Sequence, residues 1–263
     1  MIIDLTGRKA IVAGSTAGIG RATAEGLARA GAAVVVSGRG RGRVDEAMRQ
    51  IRQAVAGSDV SGVAAGLSTV EGVEALVAQV PDADILVNSV GTALIRDCTG
   101  IEGIAKIPDE DWLGLFQLNV MSGVRATRHH LPRMVQRGWG RIVFVSSESA
   151  VDIPKEMLDY GMTRTARLAV SRGLAEAVAG TGVTVNAVLP GPARSEILGN
   201  LMAQRAEAQG ITQDEAERVP EGAPANQPHR AVRDHGRGGQ HDRLCLLGAG
   251  LRDQRGGVVR FVA

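Results

Sequence analysis

Tyr160 is the only tyrosine in the chain, and Arg164 follows it by four residues. On a helix that spacing puts the guanidinium on the phenol's own face, one turn along. A tyrosine can give and take a proton near neutral pH when a nearby cation stabilises its phenolate. Ser147, thirteen residues earlier, stands just past an apolar run at Arg141–Val145, and Asn119 lies in a helical stretch at Leu118-Asn119-Val120. A phenol beside a cation, with a hydroxyl and an amide earlier in the chain, makes proton transfer at a carbonyl or an alcohol the chemistry to expect.

A glycine turn supplies a second constellation, Gly14-Ser15-Thr16-Ala17-Gly18-Ile19-Gly20, after the first apolar run and before the first helical pattern. Gly14 permits the tight turn, Gly18 removes a side chain where backbone meets a pyrophosphate, and Gly20 lets the helix pack close. The free N–H groups at the helix start then face the phosphates. Where the second run ends, the chain reads Ser37-Gly38-Arg39-Gly40-Arg41, with no carboxylate before Asp45. An acid there would hold the ribose hydroxyls of NAD. Arg39 instead suits the 2′-phosphate of NADPH through a charge-assisted contact, the alternative being an arginine solvated on a loop.

The elements that position these residues alternate. Short apolar runs at Ala10–Ala13, Ala32–Val36, Val60–Ala65, Ile85–Val87, Arg141–Val145 and Val183–Val188 read as strands. Between them Arg21–Arg29, Val44–Ala54, Val70–Val80, Asp109–Val135 and Leu158–Ala179 carry apolar residues three and four apart, the period of a helix. Gly31 and Gly180 stand at helix ends and Pro108 opens the longest helical pattern. Strand and helix in alternation give right-handed parallel crossovers. The fold class is α/β: a doubly wound parallel sheet of Rossmann type, three layers α/β/α, in one domain.

Composition agrees. The 263 residues are 44% hydrophobic and 2% aromatic, so the core is built of the small branched side chains that fill parallel sheets. A formal net charge of +2 argues for no nucleic-acid partner. Cys98 and Cys245 provide neither a disulfide framework nor zinc-ligand spacing, and no metal site is expected. No apolar run reaches membrane-spanning length, and Met1-Ile2-Ile3-Asp4 lacks the basic start of a signal peptide, so the expected location is cytoplasmic.

Over about residues 5–200 these motifs resemble the short-chain dehydrogenase/reductase family (SDR). Its marks are the Gly-x-x-x-Gly-x-Gly turn, Asn88-Ser89-Val90-Gly91 after the fourth strand, Pro190-Gly191-Pro192 after the sixth, and an Asn, Ser, Tyr-x-x-x-Lys tetrad. In that family the Tyr passes the proton, the Ser orients the carbonyl and the Lys holds the nicotinamide ribose. The Asn supports a water-linked proton relay. The resemblance implies these roles for Tyr160, Ser147 and Asn119, and puts Arg164 at the lysine's position. It implies cofactor contacts from Gly14, Ser15, Thr16, Gly18, Ile19, Gly20, Arg39, Asn88, Gly91, Tyr160, Arg164, Pro190, Gly191 and Ser195. The implied activity is an NAD(P)-dependent oxidoreductase that interconverts a carbonyl and an alcohol by hydride transfer. NADP(H) is favoured over NAD(H), the substrate is a small molecule, and the assembly is a homodimer or homotetramer paired through the two longest helices.

Several positions depart from the family. Arg164 replaces Lys, and an arginine is a planar fork that never gives up its proton, so reduced activity is expected. Gly66 stands where relatives carry an Asp near the adenine, and Ala13 and Ser89 replace a Thr and a second Asn. The competing reading is a dinucleotide-binding protein of the same fold with impaired catalysis, and recovery of turnover by Arg164→Lys separates the two. Residues 193–224, rich in Ala, Glu and Gln, are expected to form a lid over the substrate, with Leu198, Leu201 and Met202 as apolar contacts or as an ordinary inward stripe.

Beyond the domain expected over 1–225, residues 226–255 hold six Arg, three Asp and three His (net +3, six minus three) and little periodicity. Codons allowed for Arg237–Leu247 read, one base later, as Glu-Glu-Val-Asn-Met-Thr-Val-Tyr-Ala-Cys-Ser, like the helix that relatives carry. This segment is therefore read as frame-shifted. The gene's nucleotide sequence decides the matter, and 256–263 are expected to form a final strand. A nucleic-acid binder acting through this basic segment ranks last; it predicts salt-sensitive binding lost on truncation at about Pro224.

Overall fold

Runs of Val, Ile and Ala make the strands, because β-branched side chains pack well on a pleated surface. They are β1 (Lys9–Ala13), β2 (Ala33–Gly38), β3 (Val60–Ala64), β4 (Ile85–Asn88), β5 (Gly140–Val145), β6 (Val183–Val188) and β7 (Val258–Val259). The structure is a computed structural model that describes residues 3–93, 100–154, 157–191, 203, 206, 210, 212 and 258–259. The strands form one sheet in the order β3-β2-β1-β4-β5-β6-β7, every neighbouring pair parallel. The chain runs outward from β1 to β3, then returns to build β4 on the other side of β1. That reversal leaves a crevice at the carboxyl ends of β1 and β4.

Alternate residues of one strand enter two cores. Ile11, Leu86, Ile142, Phe144 and Val185 face one side with Leu76 and Met134. Ala10, Val12, Val34, Ile85 and Val143 face the other with Leu27 and Ile51. A strand buried on both faces has no polar side, so the runs read as continuous apolar stretches.

The helices are α1 (Gly18–Arg29), α2 (Arg41–Ala54), α3 (Val70–Gln79), α4 (Gly100–Ala105), α5 (Asp109–Phe116), α6 (Ser122–Gln136) and α7 (Leu158–Ala177). Gly31 (φ +89°) and Gly180 (φ +80°) adopt the left-handed conformation that ends helices. α1 and α2 each start three residues before the sequence pattern, because apolar spacing does not register their polar and glycine first turns. A larger difference is that Asp109–Val135 is not one regular helix. Five residues of π-helix, Gln117–Met121, separate α5 from α6. Such a widened turn, bonded i to i+5, is found frequently at functional sites, and Asn119 lies within it. α4 has no counterpart in the sequence reading.

No helix among the described residues is long and apolar enough to cross a membrane, and none of their side chains form a candidate metal cluster. Cys98, Cys245, Pro192, Ser195, the apolar positions Leu198, Leu201 and Met202, and all of 226–255 lie outside the described residues.

Candidate active site

Four loops meet at the carboxyl edge of the sheet, following β1, β4, β5 and β6. In the first, Gly14 has φ +75°, and a Cβ there would stand 2.8 Å from the Val90 nitrogen in the loop after β4. A Cβ at Gly20 would collide with the Gly14 carbonyl oxygen, and one at Gly38 with the Thr16 side chain. The glycines thus bring α1, the turn and the end of β2 into contact. Ala17 precedes α1 in an extended conformation, no side chain caps the helix and no acid sits in its first turn. Its leading N–H groups at Gly18, Ile19 and Gly20 are therefore suited to an anion.

Ser15 is drawn into this loop, but its groups are engaged elsewhere. It is fully buried; its Oγ donates to the Val12 carbonyl (2.6 Å) and accepts from the Ser37 N–H (2.9 Å). Its own N–H donates to the Ser37 carbonyl (3.0 Å). Ser15 ties β1 to β2. Asn88 is likewise buried, its Nδ2 donating to Thr127 Oγ1 (3.2 Å) on α6. At the end of β2, Arg39 is exposed and has no partner among the described residues, whereas Asp45 is paired with Arg41 (3.0 Å). A side chain added at Gly66 would meet open space, so the absence of an acid there is not imposed by crowding.

Ser147 follows β5 and begins a short 3₁₀ turn, Glu148–Ala150; its Oγ accepts from the Ser149 N–H (3.2 Å). The Glu148 N–H donates to the Pro190 carbonyl (3.1 Å), which joins the loops after β5 and β6. The Glu148 carboxylate lies against Gly191, with Oε2 at 3.1 Å from where a Cβ would be. Thr165 Oγ1 on α7 donates to the Ala150 carbonyl (2.8 Å) and so fixes α7 beside Ser147.

Tyr160, in the first turn of α7, is half-buried, and its hydroxyl has no hydrogen-bond partner among the described residues. The Arg164 guanidinium lies over its ring, 4.5 Å from the centroid. Arg164 Nη1 donates to the Val145 carbonyl (3.2 Å), and Nη2 lies 2.5 Å from where a Gly91 Cβ would be. A side chain at position 91 would displace that guanidinium. Asn119 is fully buried. Its Oδ1 accepts from the Thr92 N–H (2.9 Å), and its Nδ2 donates to the Thr92 carbonyl (2.9 Å) and to Thr163 Oγ1 (3.0 Å). Thr163 Oγ1 in turn donates to the Tyr160 carbonyl (2.7 Å). The Asn119 side chain therefore holds α7 to the loop after β4, and only its backbone carbonyl is left to face the cation side of the site.

That carbonyl meets a residue the sequence reading overlooked. Arg167 is 1% exposed and its Nε donates to the Asn119 carbonyl. Its Nη groups donate to the carbonyls of Val145, Val90 and Asn88, the last at 3.4 Å. Burial, and next the neighbouring Arg164 charge, push its pKa well below the usual arginine value. The intrinsic basicity of the group still keeps it charged. A signal was present in the sequence: Tyr160, Arg164 and Arg167 fall at i, i+4 and i+7, on one helix face.

The family model for short chain dehydrogenases matches residues 8–206. The chain belongs to that family. It is an oxidoreductase of the short-chain dehydrogenase type, built on the Rossmann sheet. Similar proteins include the uncharacterized oxidoreductase YvaG of Bacillus subtilis (strain 168), 37% identical over 235 residues, or 89% of this chain and 87% of that one. The D-beta-hydroxybutyrate dehydrogenase of Cupriavidus necator is 33% identical over 229 residues, or 85% and 86% of the two chains. Among solved structures, the L-sorbose reductase of Gluconobacter frateurii, complexed with NADPH and L-sorbose, superposes with a TM-score of 0.86 at 29% identity. That match covers 99% of this chain and 97% of the reductase.

Proposed function

We propose that this short-chain dehydrogenase interconverts a carbonyl and an alcohol, with NADPH preferred to NADH and Tyr160 as acid and base. The observation that carries the reading is the Arg164 guanidinium lying over the Tyr160 ring, on a helix that is bonded to the turn following Ser147. The residues fit a dinucleotide: glycines let the turn, α1 and the end of β2 pack closely, no acid sits in the first turn of α1, and Arg39 at the end of β2 is exposed with no partner among the described residues. Bound nicotinamide would supply or accept the hydride. The N–H groups of Gly18, Ile19 and Gly20 would hold the pyrophosphate, and the Pro190–Gly191 loop would line the nicotinamide side. Ser147 would orient the carbonyl by hydrogen bonding, and Tyr160 would give its hydroxyl proton to the forming alkoxide. Ser195 is proposed with these on the strength of the family pattern alone.

The cofactor preference is tested by Arg39→Ala. A charge-assisted phosphate contact contributes roughly 1.5–3 kcal/mol, so NADPH affinity should fall about 10- to 100-fold while NADH affinity stays within about twofold. Nucleotide fluorescence during titration reads both. Equal losses for the two nucleotides would assign Arg39 no part in the choice.

A second reading, nucleotide binding without turnover, is favoured by one feature: Arg164 lies over the face of the ring, with Nη1 committed to the Val145 carbonyl. Measured turnover on a panel of ketones decides between them. The assembly we propose is a homodimer or homotetramer paired through α5–α6 and α7. α5 exposes Leu113 (63%), an apolar group suited to such a contact, and a monomeric mass in solution would refute the pairing.

A further inference from the structure

We propose that Arg167 is a positioning residue that makes arginine, rather than lysine, the working cation at position 164. The inference rests on Tyr160 being the acid and base, and it concerns what lies behind it. Arg164 and Arg167 share the Val145 carbonyl as an acceptor. Arg167 also donates to the Asn119 carbonyl, which lies in the π-helical turn, together with those of Val90 and Asn88. Both side chains are buried, and among the described residues no carboxylate pairs with either. The outer guanidinium therefore sits between a permanent buried cation and the Tyr160 ring, with the inner acceptors already occupied.

A lysine at 164 would meet that arrangement badly. An ammonium buried beside a like charge, with few acceptors left, sheds its proton, because desolvation and repulsion both favour the neutral amine. A guanidinium stays charged under the same load and spreads its charge over the ring face. The two arginines act as one unit, and Arg164→Lys restores the family's arrangement only when residue 167 is neutral.

The test uses the full chain as wild type, Arg164→Lys, Arg167→Gln and the double variant, each with and without Tyr160→Phe. Turnover on a ketone panel and NADPH affinity are measured between pH 6 and 9. Arg164→Lys alone should lose both turnover and NADPH affinity as pH rises, by roughly tenfold across this range. The double variant should show no such loss and should exceed Arg164→Lys by roughly tenfold in kcat at the alkaline end. A purely structural Arg167 would move unfolding midpoints without creating this pH dependence. The proposal is overturned if Arg164→Lys alone has a flat profile, or matches the double variant. Should Arg167→Gln fail to fold, the profile of the Arg164→Lys variant still decides, since it leaves Arg167 in place. If Tyr160→Phe is as active as wild type, the acid–base reading fails instead, and the pH dependence of NADPH affinity still reports on the arginine pair.

Discussion

Replacing Tyr160 with Phe should lower kcat by about 10²- to 10⁴-fold while NADPH affinity stays within about twofold of wild type. One oxygen is removed and little else. A phenyl ring still offers its face to the Arg164 guanidinium, which lies 4.5 Å from the ring centroid. The backbone carbonyl of residue 160 still receives the Thr163 hydroxyl, so α7 and the Asn119 contacts persist. No other tyrosine exists in the chain to take over. Steady-state oxidation of NADPH with a ketone panel, beside a nucleotide titration, measures both quantities. A variant that keeps its rate would show that another group supplies the proton. A variant that loses nucleotide binding would show that Tyr160 holds the crevice together rather than reacting in it.

Acid should weaken the fold through His130. This histidine on α6 is 1% exposed, and neither ring nitrogen has a hydrogen-bond partner among the described residues. Burial, reinforced by His129, Arg133 and Arg137 against the opposing pull of Asp82, lowers its pKa to about 4. The folded state thus resists a proton that the unfolded chain accepts near pH 6.5. The sign follows: the folded pKa lies below the unfolded one in a base, so between about pH 6.5 and 4 the unfolded state binds more protons. The stability that a neutral His130 contributes is complete above that window and is lost as pH falls through it. From pH 7 to 5 the loss is about 2 kcal/mol. Urea unfolding at the two pH values measures it, and His130→Leu should remove most of the difference. An unchanged difference in the variant would assign the acid sensitivity to carboxylates elsewhere.

Much of the architecture was legible before any coordinate. The alternation of apolar runs with helical spacing placed six of the strands, because a parallel sheet covered on both faces leaves no other pattern. The glycine turn, Ser147 and Tyr160 stand out in the sequence as candidates because each sits in a local motif whose chemistry needs neighbours in sequence, and the structure places all three at the carboxyl edge of the sheet. What escaped was whatever depends on contacts made across the fold. Hydrophobic spacing cannot register the one extra residue of a π-helical turn, so Asp109–Val135 read as continuous. Ser15 reads as a phosphate ligand from its place in the turn, yet the approach of β2 turns its hydroxyl inward to Val12 and Ser37. Arg167 reads as a solvated charge, since arginine is rarely buried without an acid. Only the convergence of four carbonyls from β4, the loop after it, β5 and the π-helical turn makes its burial tolerable.

β7 closes one side of the sheet by pairing Val258 and Val259 with Ala187 and Val188 of β6. That pairing shields the backbone of a strand whose residues Val185, Ala187 and Val188 are almost wholly buried. A chain that stops before Val258 would present this apolar strand as an open template for copies of itself. Whatever the intervening residues do, the pairing at Val258–Val259 then guards the otherwise exposed edge of β6, and proteolytic loss of it would be read as precipitation before it is read as lost catalysis.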